Sequence, residues 1–286
     1  MSLRVPVYAI AVAPKMARMA ILLAPIAAAL AAAAPAPPPP VPPLPAPALA
    51  FADVADLTLA APVIIRATIV ATQRIADKAA PGLAPGRTRL LVTARTDAAI
   101  VAPAAVPATL TWLWDAPRDA RGKLPRPQGA AVLAWLDAPA TDGATRLVAG
   151  AGLQPATPGL EARIRAIATA ARSGDVPQPT GVANGFRGEG TVPGESESQF
   201  FLTTRDGGTV ALVVTTRPGE RRRVAVARGD VIDDAATEVR PETLLQYRLA
   251  CFLPARPDAV AGDAALAADW QAALAAIGPC GRTLPR

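Results

Sequence analysis

The sequence contains no histidine. That excludes Ser-His-Asp and Cys-His catalysis, His-ligated metals and a histidine pH switch. Cysteine is almost as scarce. Cys251 and Cys280 are too few for an all-cysteine zinc site and too far apart for a Cys-x-x-Cys redox pair. Aromatics make up 4% of the 286 residues, and much of the 51% hydrophobic content is alanine. The core therefore rests on Val, Leu and Ile, with four Trp and five Phe as anchors. Lysine occurs 3 times against 26 arginines. With the abundant Ala and Pro, this reads as the product of a GC-rich genome and carries no functional weight.

Catalytic motifs are missing as well. Gly194-Glu195-Ser196-Glu197-Ser198 lacks the second glycine of a nucleophile elbow, and no base exists to activate its serine. A Ser-Lys pair would need Lys78 or Lys123, which fall in a different domain, and the S-x-x-K spacing is absent. No pair of aspartic-protease sequences, phosphate-binding glycine loop or EF-hand pattern occurs. Carboxylates alone stay available, because the spacing of a glycosidase pair is set in space. Glu195 and Glu197 at i, i+2 are one such pair by sequence, although a solvated strand entry is the favoured reading of them.

What is present begins at the N-terminus. Met19 to Ala34 is a short apolar run preceded by Arg4, Lys15 and Arg18 and ending in small residues, the pattern of a signal peptide over 1–33. Ala31-Ala32-Ala33 offers the cleavage site, and Met1, Met16 and Met19 are alternative starts. The run is interrupted by Pro25 and falls short of the ~20 residues that span a bilayer. The membrane therefore enters only if this segment stays uncleaved. Its removal leaves 26 basic against 23 acidic residues, a net charge of about +3, too weak a field to argue for nucleic acid. Residues 34–50 are Pro-rich and predict an extended polyproline II tether.

From 51 to 175 the pattern predicts a β domain. Ala52 to Leu59 forms a lead-in helix. Val63–Val70, Arg87–Ala94, Thr109–Trp114 and Ala130–Leu136 are strands, and Asp142-Gly143 turns into a fifth at Thr145–Ala149. Thr157 caps a helix that opens with Pro158 and carries Leu160, Ile164 and Ile167 on one stripe. Asp175 to Thr180 is the domain boundary, and the glycine-rich stretch 181–194 reads as irregular. Ser198–Thr204, Thr209–Thr216 and Arg221–Arg228 then form a three-stranded antiparallel meander. Two helices end the 181–286 domain. One opens at Pro241 with Leu245, Leu249 and Phe252 on its stripe. The other spans about Asp263 to Ile277 with Leu266, Trp270, Leu274 and Ile277, capped by Gly278. Each cysteine sits at the end of a helix. In an exported chain Cys251 and Cys280 are expected to form a disulfide worth roughly 3–4 kcal/mol on the chain-entropy model. A pair of buried free thiols is the alternative.

The class is thus α+β. The order of five strands and a closing helix, with a Pro/Gly loop between the strands Val63–Ile75 and Arg87–Ile100, resembles an OB or netrin-module barrel. The mature chain as a whole resembles uncharacterised secreted proteins of GC-rich proteobacteria, which implies a periplasmic or secreted location and no particular activity. Trp112 and Trp114 share one face of their strand, to stack on sugars or bases if exposed or to fill the core if not. Trp135 would then lie across from them. Arg221, Arg222 and Arg223 either protect a sheet edge or meet an anion. The basic loop from Arg118 to Arg126 poses the same choice. No catalytic residue, cofactor or metal ligand is assigned. The expected role is non-enzymatic binding or scaffolding in the cell envelope, with an envelope protein or a glycan as partner and no nucleic acid. An exposed apolar patch with Trp112, Trp114 or Phe200 would mark it. The alternative is a carboxylate-dependent hydrolase of envelope glycans, marked by a closed pocket with two facing carboxylates. A third reading is anion or nucleic-acid binding through an arginine-rich face.

Overall fold

The computed structural model describes residues 44, 46, 48–228 and 236–285. The segment read as a signal peptide, the alternative starts and most of the stretch read as a Pro-rich tether lie outside the described residues.

Two antiparallel five-stranded sheets organise the chain. The first contains β1 (Val63–Arg74), β2 (Arg87–Val101), β3 (Thr109–Pro117), β4 (Ala131–Leu136) and β5 (Leu153–Pro155), in the order β3-β2-β1-β4-β5. It curls into a half-barrel. Alternation does the work here: Val63, Ile65, Ala67 and Ile69 of β1 face one side with Leu90, Val92, Trp112, Trp114 and Val132. Ile64, Leu133 and Trp135 face the other. Trp135 therefore lies behind the sheet from Trp112 and Trp114, a correction to the expected arrangement. Leu44 is buried in the half-barrel core, so the tether is packed at that point.

The second sheet contains β6 (Pro179–Glu189), β7 (Ser196–Thr204), β8 (Thr209–Thr216), β9 (Arg223–Arg228) and β10 (Thr237–Glu238), in the order β10-β9-β8-β7-β6. Helix α1 (Phe51–Ala60) and helix α2 (Pro158–Ser173) pack on the back of the first sheet, with Ile164 and Ile167 of α2 against Leu133 and Trp135. Helix α3 (Leu244–Phe252) presents Leu244 and Tyr247 to that same core, and Leu245 and Leu249 to the second sheet. Helix α4 (Ala264–Ile277) adds Leu266, Trp270, Ala273 and Ile277 to the second sheet, with Trp270 edge-on to Phe200 at 4.9 Å. One core thus draws on both halves of the sequence.

Several local expectations are corrected. Thr145–Ala149 is not a strand. The backbone N–H of Thr145 donates to Thr111 and that of Val148 to Trp135, so the segment bridges two strands and pairs fully with neither. Gly143 permits this: it has φ +81°, and a Cβ there would sit 2.6 Å from the Thr109 carbonyl. The fifth strand follows instead at β5. The glycine-rich stretch is also regular. β6 pairs with β7 from Pro179 to Glu189, and Gly185 leaves room for Leu266, whose Cδ2 would lie 2.8 Å from an added Cβ. Val176, within the 175–180 stretch read as a domain boundary, packs against two cores. Helix α3 starts after Thr243, whose side chain accepts from the Gln246 N–H, rather than at Pro241.

Candidate functional site

The ordinary value of a buried carboxylate is that something holds it. Asp53 and Asp56 lie one helical turn apart in the otherwise apolar α1. Asp53 is fully buried. Its Oδ1 accepts from the backbone N–H groups of Thr283 (2.9 Å) and Leu284 (3.0 Å). Its Oδ2 accepts from the Thr283 hydroxyl (2.5 Å) and from the Ala50 N–H (3.2 Å). Burial alone would push this carboxyl up, but these donors outweigh it and hold the group below the usual carboxylate range. Asp56 accepts from Arg282 Nε at 2.5 Å and Nη2 at 3.0 Å, and from the Tyr247 hydroxyl. Burial, then the Asp56 bond, raises the Tyr247 phenol to about 12.

These bonds fasten the tail after α4 to the start of the described fold. The turn at Gly278 (φ +83°) sends the chain back along α3, where Cys280 joins Cys251 in a disulfide with Cα atoms 4.6 Å apart. The returning chain, rather than the helices themselves, brings the cysteines together.

The tail forms one wall of a cleft of about 750 Å³. Leu57 and Ala60 of α1, Trp114 and Pro117 of β3, and the 148–151 loop form the apolar remainder. The polar lining is Asp53, Asp56, Asp115, Arg87, Gln154 and Arg282. Asp115 takes two hydrogen bonds from Arg89, at 2.7 and 2.8 Å, which hold its carboxyl below the usual range against a smaller opposing effect of burial. Gln154 donates to the Ala151 carbonyl. Arg87 donates to the Asp115 carbonyl and is otherwise open to solvent at the rim. Among the described residues no three Cys, Asp or Glu side chains gather as a metal site requires.

No protein-family model and no curated protein matches the chain. The reading of the site therefore rests on its geometry.

The residues singled out by sequence do not assemble into one place. Trp112 and Trp114 are 1% and 4% exposed, and Phe200 is fully buried, so none offers a stacking surface. Trp114 alone borders the cleft. Arg221, Arg222 and Arg223 lie at the other sheet, by the β8–β9 turn. Glu195 lies 3.8 Å from Arg217 and Glu197 accepts from Gln199, so the two carboxylates are separately engaged. In the basic loop, Asp119 accepts from the Arg121 and Lys123 N–H groups and shapes a surface turn. Sequence reasoning missed Asp53, Asp56 and Arg282. Their only local signal is a pair of acids, one turn apart, inside an apolar helix.

Proposed function

We propose that this is an exported, non-enzymatic binding protein of the cell envelope, acting in the periplasm or outside the cell, which holds an apolar portion of a partner protein in the cleft beside α1. One observation carries the reading. Every carboxylate on the cleft is tied to an arginine or to backbone donors, and what remains free is mostly apolar wall. The volume falls within the ~300–1,000 Å³ of ordinary binding clefts. A hydrolase would need one carboxyl held protonated near neutral pH, whereas Asp53 and Asp115 are both held low. A glycan is the weaker partner because Trp114, the aromatic ring on the cleft, is too buried to stack. The disulfide supports an oxidising compartment. The OB or netrin-module reading of the first half, with α2 as its closing helix, draws support from the five-stranded curled sheet. Its outer strands are β3 and β5, and Ala144 bridges to Thr111 on β3.

The test uses a neutral apolar dye, N-phenyl-1-naphthylamine, with the folded, oxidised protein. Saturable fluorescence enhancement is expected. Ala149→Trp, on the exposed loop of the cleft, should abolish it at unchanged melting temperature. Absence of saturable binding, or equal binding by the variant, would overturn the assignment.

A further inference from the structure

A second site stands apart from the cleft, on the second sheet. β8 ends at Thr216 and β9 begins at Arg223, and the turn between them carries Arg217, Glu220, Arg221 and Arg222. Strand alternation splits the arginines. Arg222 points with Val224 and Val226 toward the core side, where its Nη2 lies 3.3 Å from Asp269. Arg221 and Arg223 point the other way, and Thr215 pairs with Arg223 in the ladder. β10 pairs with Ala225 and Val226 and the Val239 N–H donates to the Val224 carbonyl at 3.4 Å, so among the described residues β9 has no ladder partner on that side at Arg223.

Two depressions flank this run. The smaller, about 110 Å³, is lined by Thr215, Arg217, Glu220, Arg221 and Arg223. The larger, about 580 Å³, shares Glu220, Arg221 and Arg223 and adds Arg222 and Glu238. At roughly 30 Å³ per water, the smaller has room for three or four waters, the space of one tetrahedral oxyanion. Arg217 is partly offset by Glu195 at 3.8 Å and Arg222 by the buried Asp269. Arg221 and Arg223 have no carboxylate within 4.0 Å among the described residues. Edge protection needs a charge, not a concave cluster of several. Guanidiniums gathered around one small cavity repel one another, and a bound anion reverses that. Their planar forks suit phosphate oxygens, and the Thr215 hydroxyl adds a neutral donor.

We infer that the β8–β9 turn is a phosphoryl-binding site, with Arg221 and Arg223 as the ligand-contacting residues and Arg217 and Thr215 at the wall. The phosphoryl group belongs either to a soluble phosphate compound or to a phospholipid headgroup. The inference stands whether or not the apolar cleft binds a partner.

The whole protein is titrated with inorganic pyrophosphate by calorimetry at low ionic strength. It is also sedimented with phosphatidylcholine vesicles with and without phosphatidylglycerol. Three proteins are compared: the parent, Arg221→Ala with Arg223→Ala, and Arg121→Ala with Arg126→Ala. The last pair removes the same charge elsewhere. Loss of the two turn arginines is expected to weaken binding at least about tenfold, the scale of charge-assisted hydrogen bonds. The distant pair should leave it unchanged. Pyrophosphate binding without vesicle binding identifies a soluble ligand. Vesicle binding displaced by pyrophosphate identifies a headgroup. Binding of neither probe, or equal weakening by both double variants, overturns the site.

Discussion

Asp269 shows how one side chain decides the placement of others. It is 4% accessible, yet Arg187 and the Ser198 hydroxyl donate to its Oδ2 at 2.7 Å and Arg222 approaches Oδ1 at 3.3 Å. Its value lies in what its removal leaves behind: a buried Ser198 hydroxyl without its acceptor and a partly buried Arg187 guanidinium held by Glu189 alone. Asp269→Ala is predicted to cost about 3 kcal/mol or more, as for other broken buried pairs, read as a drop in urea midpoint. The same substitution frees Arg222 from its fixed position. Residue-scale legibility was partial for a physical reason. Period-two alternation correctly put Trp112 and Trp114 on one face. Whether that face is wet or dry depends on the curl of the sheet, which no local spacing encodes. Asp269 was invisible for the same reason, since its partners come from β6, β7 and the β8–β9 turn.

At the scale of elements, the tail from Cys280 to Pro285 behaves as a strap laid across α1. Its hold depends on pH through Asp53. The folded carboxyl titrates below its unfolded value, so its contribution is present above the ordinary Asp range and is lost as pH falls through the lowered folded value. Amide exchange at Thr283 and Leu284 is therefore expected to stay slow at neutral pH and accelerate sharply under acid. Asp53→Asn should show fast exchange at every pH. Acid-insensitive exchange in the parent would refute this role for Asp53. The strands that carried β-branched runs, β1 to β4 and β7 to β9, were legible in the sequence, as were the caps of α2 and α4. β5, β6 and β10 were not. They are short or glycine-rich and owe their form to a neighbour's ladder, as β6 does to β7.

For the whole molecule, export and the disulfide make a joint prediction. Intact mass of protein recovered from the envelope fraction should match a chain beginning at Ala34. Two alkylations should appear only after reduction. A full-length mass with both thiols free would remove the compartment and the envelope role together. The two halves read from sequence as separate domains share the core of Ile64, Trp135, Ile164 and Tyr247, so they are expected to unfold in one transition.

The Asp53 bonds to the tail have a further consequence in time. Asp53 and Leu284 are separated by 231 positions, yet each completes the other's hydrogen bonding. Contacts of such sequence separation carry a loop-closure cost that must be met before they form. On the export proposed above, α1 would cross the membrane before residue 284, and until then water rather than the tail would solvate the Asp53 carboxylate. On that proposal α1 would gain its full set of hydrogen bonds only once residue 284 has followed it.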